Sequence, residues 1–397
     1  MAKIKLFLFV IFSLILFLIS IEIACRLLVP SSKLEKLDSI LNILCQDQIL
    51  IWRQRPNIRC IFQGVPVTTN SLGLRNAENE KIKPEIYRII CLGDSSTFGW
   101  GVPLQSTYPF LCQRNLSERN IEVINSGEIG FSTYQGLLFL KNYLLKYKPD
   151  LIVVNFLLND IDRYRFYKTR NLSDSELLSS NDHSLFNFSG IMVKIRTFTL
   201  LKRWASLLIN KNNRLSAAAL KKQYNLAKVR VNLSEFRNNL EEILRICRSN
   251  NVEVILVKPP ANLSLPGLSD YEKKYLNSGQ NLSKMYYQLG CNSESGADFA
   301  AARDYFKKAR DYQVIDCLLD AEKYQRVIED IAVNNGISLL DIPKIFANVP
   351  DRESLFNGRY DSIHPSVLGH KLIAEGLSGI ISNYLDTKER KRANFND

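Results

Sequence analysis

Histidine is nearly absent from this chain. Only His183, His364 and His370 occur in 397 residues, so any chemistry that needs an imidazole must draw on these three. The eight cysteines (Cys25, Cys45, Cys60, Cys91, Cys112, Cys247, Cys291 and Cys317) contain no Cys-x-x-Cys pair. The ligand spacing of a zinc site is therefore missing, and neither a metal nor a cofactor is expected. Charge is not of one sign, with 52 Lys and Arg against 40 Asp and Glu and a formal net charge of +12. The basic residues are scattered apart from Lys388-Glu389-Arg390-Lys391-Arg392. That is not the basic stripe of a nucleic-acid binder, so no nucleic-acid partner is expected. Attraction to an acidic surface is the milder consequence, beside ordinary solubilising charge.

The N-terminus carries a long apolar run. Lys3 and Lys5 precede Leu6 to Ile21, which is apolar except for Ser13 and Ser20, and Glu22 and Arg26 then interrupt. Running on towards Ala24 and Cys25, the stretch reaches bilayer length. It reads as an uncleaved transmembrane anchor over residues 1–30, meeting the membrane through residues 6–29. The two lysines would keep the N-terminus cytoplasmic and leave the rest extracytoplasmic, in a periplasm or at the cell surface. A cleavable signal peptide is the rival reading, but Glu22 falls where a small residue is needed. Ile23-Ala24-Cys25 faintly resembles a lipoprotein site, again with Glu22 in the wrong place.

Residues 31–84 read as an irregular extension containing Pro56, Gly64, Pro66 and Gly73. Five β-rich runs follow: Tyr87–Leu92, Ile121–Asn125, Leu151–Phe156, Val252–Lys258 and Ile337–Asp341. Strands alternating with helical patterns predict a parallel sheet covered on both faces. Before the fourth run, Leu233, Phe236, Leu240, Ile243, Leu244 and Cys247 fall at helical spacing. Cys91 and Cys247 lie in apolar segments and read as buried thiols; in an exported domain Cys45–Cys60 and Cys291–Cys317 are candidate pairs. The main domain is placed at residues 85–385, with insertions at 162–230 and 265–330 and a basic tail at 386–397. In the second insertion Tyr286, Leu289, Gly290, Ala302, Phe306 and Ala309 resemble the spacing of one tetratricopeptide repeat. Residues 285–310 thus become a candidate surface for a protein partner, with an ordinary helical hairpin as the alternative.

The chemistry is carried by two distant segments. Ser95 stands in Leu92-Gly93-Asp94-Ser95-Ser96-Thr97, straight after the first strand, and Asp361-Ser362-Ile363-His364-Pro365 pairs a carboxylate with an imidazole. A nucleophile at a strand end with a distant Asp/His pair is the parts list of a serine hydrolase. Read alone, Asp361-x-x-His364 is as well explained as a cap on the helix that Pro365 begins. No Gly-x-Ser-x-Gly elbow occurs, which argues against the α/β-hydrolase arrangement.

Four blocks in order make the chain resemble the SGNH (GDSL-type) hydrolases over roughly residues 85–380. They are Gly93-Asp94-Ser95-Ser96-Thr97, Asn125-Ser126-Gly127-Glu128-Ile129-Gly130, Leu157-Leu158-Asn159-Asp160 and Asp361-Ser362-Ile363-His364. The resemblance implies a three-layer α/β/α, flavodoxin-like fold with strand order 2-1-3-4-5. It makes Ser95 the nucleophile rather than the adjacent Ser96, His364 its base and Asp361 the residue that orients the base. The oxyanion donors become the Ser95 and Gly130 backbone N–H groups and the Asn159 amide, with Gly127 an alternative to Gly130. Asp94 takes a supporting role in the nucleophile turn. The third block departs from the pattern, because Leu157 stands where a glycine is usual. His370 reads as a surface or packing residue and His183 as exposed. The six Asn-x-Ser sequons (Asn115, Asn171, Asn187, Asn232, Asn262 and Asn281) carry little weight in an Asn-rich chain.

The expected substrate is an O-acyl ester, acetyl by preference, on an envelope polysaccharide or glycolipid, cleaved through an acyl-enzyme. Two other readings stay open: an O-acyltransferase using the same residues, and a membrane-tethered scaffold with a vestigial site.

Overall fold

The computed structural model describes residues 2–28, 40, 43–78, 85–162, 172–179, 216–226, 228–260, 269–278, 280–351, 353–357, 361 and 363–396. Two antiparallel hairpins come first, β1 (Leu44–Asp47) with β2 (Ile51–Gln54), and β3 (Arg59–Phe62) with β4 (Val65–Thr68). They occupy the segment read from sequence as irregular. A five-stranded sheet follows, from β5 (Tyr87–Gly93), β6 (Ile121–Gly127), β7 (Leu151–Asn155), β8 (Glu253–Lys258) and β9 (Ser338–Asp341). All its pairings are parallel and its order is β6-β5-β7-β8-β9, which is 2-1-3-4-5 counted from β5.

Strand periodicity builds the three layers. Successive side chains point to opposite faces, so Ile89 and Cys91 join one apolar cluster and Ile90 and Leu92 the other. The first cluster includes Ile373, Leu377 and Ile381 of the C-terminal helix Val367–Asn396. The second includes Phe236, Leu240 and Ile243 of the helix Leu233–Ser249. That helix starts where Asn232 accepts the Ser234 and Glu235 N–H groups and Glu235 reaches back to the Asn232 N–H, a reciprocal cap. Sheet register then sets the site, since Gly93 stands opposite both Gly127 and Asn155. The C-terminal ends of β5, β6 and β7 therefore finish side by side.

The transmembrane anchor is corrected. The apolar N-terminal run forms the helix Ala2–Leu28, but among the described residues no helix is long and apolar enough to cross a membrane. Lys3, Lys5, Glu22 and Arg26 all fall within this one helix. Its charge-free part is Leu6 to Ile21, short of the roughly 20 residues a span needs. Membrane contact through residues 6–29 and the cytoplasmic and extracytoplasmic placements derived from it fall with the anchor.

The tetratricopeptide-like insertion is corrected as well. Leu282–Ser295 and the start of Phe299–Asn335 form a helical hairpin. The second helix runs on for 37 residues instead of stopping at repeat length. Its later turn places Tyr324, Val327, Ile328 and Ile331 in the core beneath the sheet. Tyr286, Ala302, Phe306 and Ala309 are buried within the hairpin or against the helix Ala217–Leu226. Most of the residues that suggested a repeat and a partner surface over 285–310 are thus spent on local packing, and only Leu289 of the six is exposed.

The seven described cysteines are thiols. The Cys45–Cys60 pair is not formed, since the two lie on separate hairpins and the Cys45 thiol donates to the Gln54 carbonyl. The Cys317 side chain, His183, most of the 162–230 insertion and the sequons at Asn171, Asn187 and Asn262 lie outside the described residues.

His370 is a packing residue. Its ring is fully buried beside Tyr108, and Nδ1 accepts the Tyr108 N–H at 3.1 Å. Burial, with Arg75 and His364 nearby, lowers its pKa to about 3 from an ordinary 6.5. Between those values the unfolded chain binds the extra proton, so His370 costs stability as pH falls through that window. His370→Gln is expected to flatten the decline of urea-unfolding free energy from about pH 6.5 towards pH 3. Parallel curves for the two proteins would contradict this.

Candidate active site

The turn after β5 is built around Asp94. Its Oδ1 accepts the Ser96 N–H at 2.8 Å and caps the short helix Ser95–Phe98. Ser95 is the first residue of that helix, so its own N–H is one of those a helix leaves without an internal acceptor. Gly127 must be glycine here, because an added Cβ would stand 2.1 Å from the Phe98 nitrogen. The turn is further fixed by Thr97 Oγ1, which bonds the Tyr108 hydroxyl at 2.9 Å and accepts from Asn155 at 3.2 Å.

Ser95 Oγ lies 2.8 Å from His364 Nε2. On the other side of the ring, His364 Nδ1 is 2.8 Å from Asp361 Oδ2. Asp361 Oδ1 accepts the Ile363 and His364 N–H groups at 3.1 and 3.0 Å. The same carboxylate thus caps the turn with one oxygen and contacts the imidazole with the other. Burial pushes the Asp361 carboxyl up, but the hydrogen bonds from His364 and the two amides outweigh it and hold its pKa below the usual range. An ionised Asp361 can only accept, which puts the ring proton on Nδ1 and leaves the Nε2 lone pair facing the serine. Trp100 stacks flat on this ring, centroids 4.9 Å apart and planes 9° apart, and Phe62 packs edge-on against Trp100 at 4.7 Å.

The remaining predicted residues lie on the segments that follow β6 and β7. Gly130 follows β6 with φ +79°, a conformation that favours glycine. No backbone hydrogen bond among the described residues uses its N–H. Gly127, the alternative donor, gives its N–H to Asn125 Oδ1 at 3.0 Å. The Asn159 amide donates to Asp94 Oδ2 at 2.9 Å, which links the third block to the first. Leu157, in the place of the usual glycine, is buried. Ser96 points its hydroxyl away, to the Ile363 carbonyl at 3.3 Å. Among the described residues no cluster of His, Cys, Asp or Glu is arranged to hold a metal ion.

Sequence reading missed several residues that touch this assembly. Trp52 donates its indole N–H to the Ile129 carbonyl, and Arg230 reaches the Gly130 carbonyl. Arg75 binds the Phe98, Gly99 and Val102 carbonyls. None lies in a motif or repeats at a telling interval. Only the apolar run Leu50-Ile51-Trp52 hinted at burial.

The sequence model of the GDSL-like Lipase/Acylhydrolase family matches residues 91–372, which include all the residues above from Ser95 to His364. No curated protein matches the chain. Among solved structures it is similar to the lipase/acylhydrolase from Enterococcus faecalis, at 17% identity and a TM-score of 0.39, covering 75% of this chain and 97% of that one. It is also similar to a lipolytic protein of the G-D-S-L family from Desulfitobacterium hafniense, at 14% identity and 0.38, covering 74% and 99%. The assignment rests on the family model, which spans most of the chain: this protein belongs to the GDSL-like lipase/acylhydrolase family and is a serine hydrolase of the esterase and acylhydrolase class.

Proposed function

We propose that the protein is an esterase that cleaves short O-acyl esters through an acyl-enzyme on Ser95. The observation that carries the reading is the continuous 2.8 Å linkage from Ser95 Oγ through His364 to Asp361. Ser95 Oγ attacks the ester carbonyl carbon while His364 Nε2 takes its proton, and Asp361 stabilises the imidazolium that forms. The oxyanion is met by the Ser95 N–H, the Gly130 N–H and the Asn159 amide. Collapse breaks the C–O bond to the alcohol, which leaves with the proton from Nε2. Water then attacks the acyl-enzyme with His364 as base, releasing the carboxylic acid and restoring Ser95.

A short acyl group, acetyl the simplest, suits the enclosure. Ser95, Asn159 and His364 are only 3%, 2% and 8% exposed, and Leu157 fills the position where the family pattern has glycine. The alcohol half is a sugar hydroxyl in this reading, which rests on the family resemblance alone.

The test is steady-state hydrolysis of nitrophenyl acetate, butyrate and octanoate, and of an acetylated sugar, by the full chain. Acetate is expected to turn over fastest and octanoate slowest; the reverse order would overturn the short-acyl reading. Ser95→Ala and His364→Ala are each expected to lower kcat by about 10^6-fold, and Asp361→Asn by about 10^4-fold, with unfolding midpoints close to wild type. Retained activity in all three would sink the triad. Asn159→Ala should cost about 100- to 1000-fold in kcat. A variant within a few-fold of wild type would remove Asn159 from the oxyanion site.

A further inference from the structure

Both peptide groups flanking Gly130 are gripped from distant parts of the chain. The Ile129 carbonyl accepts the Trp52 indole N–H at 2.9 Å, and the Gly130 carbonyl accepts from Arg230 Nη1 at 2.7 Å. The described peptide bonds are trans. In a trans peptide the C=O and N–H point in opposite directions, so tying Ile129 O to Trp52 turns the Gly130 N–H away from the indole. A glycine at φ +79° has other conformations open to it. Holding the carbonyls on both sides removes that freedom.

The two grips form one unit. The Arg230 guanidinium lies 5.7 Å over the Trp52 ring, and that ring packs edge-to-face with Phe131, centroids 6.1 Å apart. Arg230 is itself fixed by Asp174, through bonds of 3.0 and 2.8 Å, and by Gln135 Oε1 at 2.8 Å. Gln54 lies two residues along β2 from Trp52, on the same strand face. Its side chain donates to the Gly127 carbonyl at 2.8 Å and its N–H to Glu128 Oε2 at 2.9 Å.

We propose that Trp52 and Arg230 act as paired positioning residues that aim the Gly130 N–H at the oxyanion. This rests on the reading of Gly130 as an oxyanion donor. Neither residue acts on the substrate directly; both act through the Gly130 peptide groups, one from the N-terminal hairpins and the other from the far end of the 162–230 insertion.

The test uses the full chain and nitrophenyl acetate. Trp52→Phe keeps an aromatic ring against Phe131 but removes the indole donor. Arg230→Lys keeps a cation beside Asp174, yet a single ammonium cannot serve Gly130, Gln135 and both Asp174 oxygens. Each variant is expected to lower kcat roughly 10- to 100-fold, as a misaimed donor does, with KM within about twofold. Val67→Ala, buried in the same hairpins, supplies the control: its unfolding midpoint falls while kcat holds. Unchanged kcat in both positioning variants would overturn the proposal, as would an equal kcat loss in Val67→Ala. If Asn159→Ala and Ser95→Ala also retain activity, the oxyanion reading itself falls. If those two lose activity while Trp52→Phe and Arg230→Lys do not, only the positioning role falls. Either variant carries the test alone should the other not fold.

Discussion

One hydrogen bond joins the two halves of the chemistry: Ser95 Oγ to His364 Nε2, 2.8 Å across 269 positions of sequence. A serine hydroxyl is a weak nucleophile without a base in contact, so the fold must deliver an imidazole to one strand end with little tolerance. It does so from two directions. The strand β5, paired on both sides by β6 and β7, ends in the turn that Asp94 caps. The His364 segment is pinned just ahead of the C-terminal helix by the Phe356–Pro365 bridge, by Asn357, whose N–H bonds the His364 carbonyl at 2.8 Å, and by the Asp361 cap. The Asn357 side chain also donates to the Trp100 carbonyl at 3.0 Å, so the ring that stacks on His364 is held by the same short segment.

The N-terminal hairpins complete this arrangement. Arg75, fully buried, donates to the Phe98, Gly99 and Val102 carbonyls, at the end of the helix Ser95–Phe98 and just beyond it, and lies 4.7 Å over the Phe98 ring. Phe62 backs Trp100, which backs His364, while Trp52 and Gln54 hold the loop that carries Gly130. A segment outside the sheet thus touches the supports of the proposed nucleophile, base and oxyanion loop alike. Each contact ties a backbone carbonyl or an aromatic face, groups whose displacement moves the neighbouring functional atom.

The sheet and the site differ in how they could be read from sequence. Apolar runs such as Ile89-Ile90-Cys91-Leu92 announce a strand covered on both faces, and Phe236, Leu240 and Ile243 announce a helix face, because both patterns are local. Ser95, Gly130, Asn159 and His364 were legible only as ordered blocks, since nothing in each alone points to a role. Trp52, Arg230 and Arg75 were invisible because they act through backbone carbonyls, which leave no pattern in side-chain identity. The anchor was misread for the opposite reason. An apolar run bordered by lysines looks like a span until the helix is seen to include Glu22 and Arg26 as well. The repeat-like spacing of Tyr286, Ala302 and Phe306 reported real helix packing, but in a hairpin whose second helix belongs to the core.

The most direct measurement is mass spectrometry of the full chain after brief reaction with a fluorophosphonate, followed by peptide mapping. A single adduct on Ser95, lost in the His364→Ala protein and unaffected by Ser96→Ala, is the predicted result. An adduct on another serine, or none on folded protein that still hydrolyses nitrophenyl acetate, would contradict Ser95 as the nucleophile.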